Sequence, residues 1–434
     1  MSERRVLVDR IGILRPLRVR DFRLLWTGMA VSMSGDGVYY VAIAWQVLDL
    51  SKSPASLAAV GVAWSLPQVL LTLFSGVLAD RFDRRRLMIA GDAIRLLAIG
   101  TIGALSIAGA LRLSLLLPLV VVYGAGISLF QPSFSAMIPA IVPEDLLVEA
   151  NSLGQFVRPV AMTVVGPLVA GVVIGTLAVG WAFEVDAATF AFSALMILLL
   201  RVRPVRRTED EPSSVIRDLR EGLRYVHIHR WLLISMLAAT VSLLFTWGPW
   251  ETLVPFVVRR DLHGSAGDLG WVFVAGGIGS VLAAATIGQR GALPGKPFLV
   301  LYGSWAFGML MTAGFGLTRS VWQAMAVAFL GEASITVLVI IWFTLVQRLV
   351  PSEFLGRVTS LDWVISIGGV PLSFAIVGPV ASAIGVDATL ILAGLLGGAI
   401  TIAFLFVPGA RDPERDGSLQ APAPQAPPNV TSVD

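Results

Sequence analysis

Apolar runs of about 20 residues recur along nearly all of this 434-residue chain, separated by short polar turns. A run of that length crosses a hydrocarbon layer as a helix, and lipid-exposed backbone is satisfied only in helices or closed barrels. The composition agrees: 56% of residues are hydrophobic and 14% charged, against roughly 25% charged in soluble domains. The expected fold class is an all-α membrane protein of twelve transmembrane helices. The spans fall near 24–48, 56–79, 87–110, 113–137, 147–176, 181–200, 231–258, 268–288, 298–317, 321–347, 358–384 and 387–407. The first is too long for a signal peptide and lacks a small-residue cleavage site, so it counts as a span.

Arginine sets the orientation. Arg4, Arg5, Arg10, Arg15, Arg18, Arg20 and Arg23 precede the first span, Arg81, Arg84, Arg85 and Arg86 follow the second, and eight more lie within 201–230. The alternate loops hold only Lys52, Arg112, Arg259, Arg260 and Arg319. The positive-inside rule then puts both termini in the cytoplasm. The basic residues are scattered over membrane-proximal loops, which is no nucleic-acid surface. There is no cysteine, so thiolate metal sites and disulfides are excluded.

The polar stretch 201–230 divides the chain. The expected organisation is a basic N-terminus (1–23), a six-helix bundle (24–200), a linker with an amphipathic helix (201–230), a second six-helix bundle (231–407) and a disordered Pro- and Ala-rich tail (408–434). Within the linker, Val215, Ile216, Leu219, Leu223 and Val226 share a helical face suited to lying on the inner membrane surface. The halves repeat. Leu57, Gly76 and Pro167 have counterparts in Leu269, Gly288 and Pro379, each 212 residues on, and Val165-Gly166-Pro167 recurs as Val377-Gly378-Pro379. Val185-Asp186-Ala187 recurs as Val386-Asp387-Ala388.

Between spans 2 and 3 the chain reads Gly76-Val77-Leu78-Ala79-Asp80-Arg81-Phe82-Asp83-Arg84-Arg85-Arg86. This resembles the helix 2–3 loop of the major facilitator superfamily, with Asp83 where that pattern has Gly. Phe130-Gln131-Pro132, Val142-Pro143 and Ala150-Asn151-Ser152-Leu153 look closest to the macrolide-efflux and enterobactin-exporter branch. The resemblance implies two pseudo-symmetric six-helix bundles, the major facilitator fold, in a bacterial cytoplasmic membrane. It also implies that Gly76, Asp80, Arg81, Arg84 and Arg85 latch one conformation; the alternative is that the arginines only anchor topology. Gly166, Pro167 and Gly171 resemble the helix-5 motif of proton-coupled exporters, with Ala170 in place of one Gly. Packing alone is the plainer reading there.

Ionisable residues deep in a span cost several kcal/mol unless paired or wet. Asp36 sits about 18 Å into span 1 at 1.5 Å per residue, and Glu332 lies at similar depth in span 10. Family resemblance makes spans 1, 4, 7 and 10 line a central cavity, so these acids are candidates to bind a proton or a cationic substrate in turn. Glu251, after Trp247-Gly248-Pro249-Trp250, is a third candidate or an outer-gate residue. Asp92 and Arg95, one turn apart near a helix end, are expected to pair with each other, and Arg158 with the 2–3 loop. Tyr39, Tyr40, Trp45, Trp247, Trp250 and Trp342 are candidates for an aromatic cavity, whereas Trp26, Trp181, Trp231 and Trp322 suit interfacial belts.

Other signals fail. Gly291-Ala292-Leu293-Pro294-Gly295-Lys296-Pro297 is one residue short of a P-loop, and His227 and His229 make no zinc motif. No enzyme, cofactor or metal is expected. The expected function is export of a small amphiphilic compound, whether drug, siderophore or secondary metabolite, by proton antiport from a monomer in contact with membrane lipids. The alternatives are a lipid or lysolipid translocator and a non-transporting sensor or scaffold.

Overall fold

Inside lipid the backbone has no water to bond, and the apolar runs respond by closing their own i→i−4 ladders. The fold, taken from a computed structural model, is described for residues 12–201, 215–415 and 419, except 52, 82, 144, 145, 147–149, 151, 152, 155, 156, 291 and 292. The first half comprises α1 (Arg20–Leu50), α2 (Pro54–Arg81), α3 (Arg84–Ile107), α4 (Leu113–Ile141), α5 (Val157–Thr176) and α6 (Val179–Leu198). After the linker helix α7 (Val215–Ile228) come α8 (Arg230–Phe256), α9 (Ala266–Arg290), α10 (Pro297–Phe315) and α11 (Val321–Leu349). A span broken at Gly369 into α12 (Ser352–Gly368) and α13 (Val370–Ile384) precedes α14 (Val386–Leu405).

Among the described residues eleven helices are long and apolar enough to cross a membrane. The twelfth is α1, 31 residues long; Ser32, Ser34, Asp36 and Gln46 dilute its apolar content because that helix carries polar chemistry inward. Local chemistry sets the ends. Asp83 caps α3 by accepting from Arg86 N at 3.1 Å, which gives the residue that departs from the family pattern a use of its own. Arg85 donates to Ile197 O at 3.1 Å and Leu198 O at 2.5 Å, closing the C-terminal end of α6.

The two halves repeat one packing scheme. α1 packs on α5 and α6, α3 on α4 and α6, and α2 on α4. The second half repeats these pairings as α8 on α13 and α14, α10 on α11 and α14, and α9 on α11. Between halves α2 meets α13 and α5 meets α9, pairs that exchange when the halves exchange. Small residues let these helices approach. A Cβ on Gly166 would lie 2.5 Å from Gly37 Cα, so α1 and α5 touch backbone to backbone. Gly171 faces Gly267 and Gly270 faces Pro167 O across the α5–α9 contact, and Gly378 faces Ala55 and Ala58 across α2–α13.

These contacts between halves gather toward the face opposite the one where α1 begins and α14 ends. Arg259, in the π-turn that follows α8, bridges the halves there. It pairs with Asp49, donates to Trp45 O at 2.8 Å and lies 4.3 Å over the Trp45 ring.

Two expectations need correction. The C-terminal part of the linker helix docks on its own protein rather than lying on the membrane alone: Glu221 pairs with Arg357 at 2.8 Å, Tyr225 stacks on Phe354 at 4.7 Å and Val226 is buried, while Leu223 stays exposed. Tyr225 and Val226 suit a protein partner, α12, while Leu223, one turn from Val226, stays open; Val215, Ile216 and Leu219 have side chains outside the described residues. Nor does the chain leave the bundle at residue 408. Ala410 and Pro413 are buried, and Glu414 accepts from Phe298 N at 2.7 Å, satisfying an orphan donor at the start of α10.

Two outcomes follow. Gly166→Val should separate α1 from α5 and destabilise the protein by about 1–3 kcal/mol, read as an earlier thermal unfolding transition in detergent. Arg259→Gln should loosen the face opposite the termini by roughly 1–2 kcal/mol. Cysteines introduced at Leu50 and Leu262, in a chain with none of its own, should then cross-link less efficiently.

Candidate functional site

The same apolar walls that seal the far face part toward the face bearing the termini, and a cavity of about 1040 Å³ lies between the halves. It reaches from Tyr40 and Trp250 at depth to Met29, Arg158, Ala285 and Val339 nearer the terminal face. A volume of that order suits a bulky small molecule.

The first-half wall is built around Asp36. Gly35 and Gly37 flank it, and both are needed because their Cα atoms lie against α6 and α5. Tyr123 on α4 donates its hydroxyl to Asp36 Oδ1 at 2.7 Å, and Arg95 on α3 stands 3.9 Å from Oδ2. Arg95 also pairs with Asp92, as the sequence spacing suggested. Its guanidinium is sandwiched between the rings of Phe130 at 4.5 Å and Phe190 at 4.4 Å, so the charge is held by two carboxylates and two π-faces. Asp92 and Arg95 are not at a helix end: Asp92 is wholly buried, and Arg95 lines the cavity. Arg158 lines the cavity as well.

The second-half wall has a different character. Glu251 on α8 and Glu332 on α11 both line the cavity. Glu332 lies against Gly276 of α9, where a Cβ would come within 2.8 Å of its Cγ. Trp247, Trp250 and Trp363 supply aromatic faces, and no described lining residue of this half is basic.

The other candidates divide. Tyr40, Trp247 and Trp250 line the cavity, whereas Tyr39 is buried behind α1, Trp45 sits under Arg259, and Trp342 donates to Asp362 at 2.9 Å, outside the cavity wall. Gly166 packs on α1, and Pro167 and Gly171 run along the α5–α9 contact, with Pro167 also reaching the cavity. The loop candidates Gly76, Asp80 and Arg81 fall at the end of α2, with side chains outside the described residues; Arg84 opens α3, and Arg85 serves α6 in its own half.

Sequence reasoning missed Tyr123, Trp64 and Trp363 on the cavity, the buried acid Asp186 and the half-buried acid Asp362. The two acids could have been found by the same test applied to Asp36, an ionisable residue inside an apolar span. The aromatic residues carry no such mark.

Comparison with known proteins fits this architecture. Macrolide efflux protein A of Streptococcus pyogenes is 23% identical over 380 residues, spanning 86% of this chain and 93% of that protein. The multidrug efflux pump Tap of Mycolicibacterium fortuitum is 26% identical over 392 residues, spanning 87% and 93%. In fold, the crystal structure of the nucleoside transporter NupG superposes with a TM-score of 0.67 at 14% identity, covering 89% of this chain and 99% of that one. A bacterial homologue of the human lysosomal transporter Spinster, in an inward-facing, unoccupied conformation, gives 0.63 at 16% identity, covering 93% and 97%. A family model described as transmembrane secretion effector matches residues 11–431, and the chain therefore belongs to that family of major facilitator efflux transporters.

Proposed function

We propose that this efflux transporter carries an amphiphilic cation out of the cytoplasm in exchange for protons, by alternating access to the cavity between its halves. The observation that supports it best is the unequal charge of the cavity walls. Asp36 has Tyr123 and Arg95 as partners, but Glu251 and Glu332 face the cavity with no basic residue among the described lining of their half. A carboxylate beside an apolar cavity needs a counter-charge, which either a bound proton or a cationic substrate supplies. The two compete for the same oxygens, and that competition couples their opposite movements. The tryptophans beside the acids suit the apolar body of such a substrate and add cation–π attraction.

The exchange of access rests on the paired α2–α13 and α5–α9 contacts. Rocking about them would open the far face by breaking the Arg259 bridge and close the terminal face, where Gly76, Asp80, Arg81 and Arg84 would act. We place the protein in a bacterial cytoplasmic membrane as a monomer, with the arginine-rich terminal face in the cytoplasm. The names of the two efflux relatives, one for macrolides and one for multiple drugs, support a bulky substrate.

Purified protein in proteoliposomes should transport ethidium, as an organic-cation probe, faster when the receiving compartment is acidic. Glu332→Gln should lower this gradient-driven rate about tenfold or more while the unfolding temperature holds. Glu251→Gln should weaken dye binding by a few-fold, because the apolar cavity walls remain. Equal rates with and without the gradient in the unaltered protein would remove proton antiport from the reading.

A further inference from the structure

Behind the cavity wall, α6 brings a third carboxylate to the Asp36 cluster. Asp186 is wholly buried, and its Oδ2 has no hydrogen-bond partner among the described residues. Its Oδ1 reaches only the Thr189 hydroxyl, at 3.4 Å. The carboxyl lies directly on the backbone of Gly35, where a Cβ would come within 2.4 Å of Oδ1. One residue along the same helix, Asp36 faces the cavity.

Charge counting makes this arrangement unusual. The groups around Asp186 are Asp36 and Tyr39 on α1, Arg95 on α3 and Tyr123 on α4; Asp92 on α3 pairs with Arg95, and Arg158 on α5 acts on Asp36 from an exposed position. Three carboxyls thus share one buried guanidinium, and the ion pairs of Arg95 go to Asp92 and Asp36. Asp186 is left with none. A buried carboxylate with no ion pair and a single long hydrogen bond is poorly tolerated in a low-dielectric interior, and a proton removes the conflict. The Tyr39 hydroxyl is buried without a partner as well, and its ring packs 4.6 Å from that of Tyr123.

We propose that Asp186 is the carboxyl that stores the exchanged proton in the first half, with Asp36 as its entry point from the cavity. This rests on the proton-antiport reading above. A proton arriving on Asp36 neutralises it and releases its hold on Arg95. Passage of that proton to Asp186 returns Asp36 to a carboxylate beside Arg95 and leaves Asp186 a neutral acid. Storage away from the cavity lets Asp36 and Arg95 re-pair while the halves move, which protects the proton from return to the same compartment.

The test needs no knowledge of the natural substrate. Infrared difference spectra of the purified protein in lipid, taken between about pH 9 and 5, should contain a protonated-carboxyl C=O band that disappears in Asp186→Asn and moves in Asp186→Glu. In proteoliposomes Asp186→Asn should lose at least nine-tenths of the pH-gradient stimulation of ethidium transport while retaining dye counterflow. A band unchanged by both substitutions at 186, or gradient-driven transport that survives Asp186→Asn, would overturn the assignment. If the band behaves as expected but the unaltered protein transports dye equally with and without a gradient, the antiport reading fails and Asp186 stands as a proton-binding site only.

Discussion

One buried guanidinium organises the first half of this protein. Arg95 draws Asp92 and Asp36 toward it and is gripped by Phe130 and Phe190, so side chains from α1, α3, α4 and α6 converge on a single charge. Stripping a partner from such a group leaves an uncompensated buried ion, a loss of about 3–5 kcal/mol. Few packing contacts cost that much to lose. The position of Asp36 on the cavity, and of Tyr123 over it, follows from where this charge can be satisfied.

The two halves share a packing scheme but not a chemistry. The helix pairings of α1–α6 recur in α8–α14, and even the contacts between halves exchange with them. The acids do not follow that symmetry. The first half holds its carboxyls in a network with arginine and tyrosine, whereas the second presents Glu251 and Glu332 to the cavity beside tryptophan. Shared geometry gives a pivot with matched surfaces; unequal chemistry gives the cavity two walls that can hold different ions. At the far face the Arg259–Asp49 contact adds a bridge with no counterpart among the described contacts of the terminal face.

How much of this was legible beforehand depended on whether a residue's role is local. Gly166 and Gly171 stand at helix crossings, where close approach needs the missing side chain wherever the helix sits. Asp36, Glu251 and Glu332 were visible because charge in an apolar run is conspicuous, and all three line the cavity. Arg95 was seen as the partner of Asp92, one turn away, but its contact with Asp36 joins two helices and has no sequence spacing to announce it. Trp342 looked like Trp247 and Trp250 in the sequence, yet its indole N–H turns to Asp362. Tyr39 and Tyr40 are neighbours that a helix points about 100° apart, and only Tyr40 meets the cavity.

The sequence by itself determined the class, the number of spans, their repeat and the identity of the buried charges, because lipid imposes length and apolarity on each helix independently of its neighbours. The tertiary structure alone decided which charges meet. Asp36 with Tyr123 and Arg95, Asp186 without a cation, and Glu251 on the same cavity as Glu332 are outcomes of how helices far apart in the chain are rotated against one another. Rotation about a helix axis is set by packing of small and large residues across helices, and no single span encodes the face its neighbour will present.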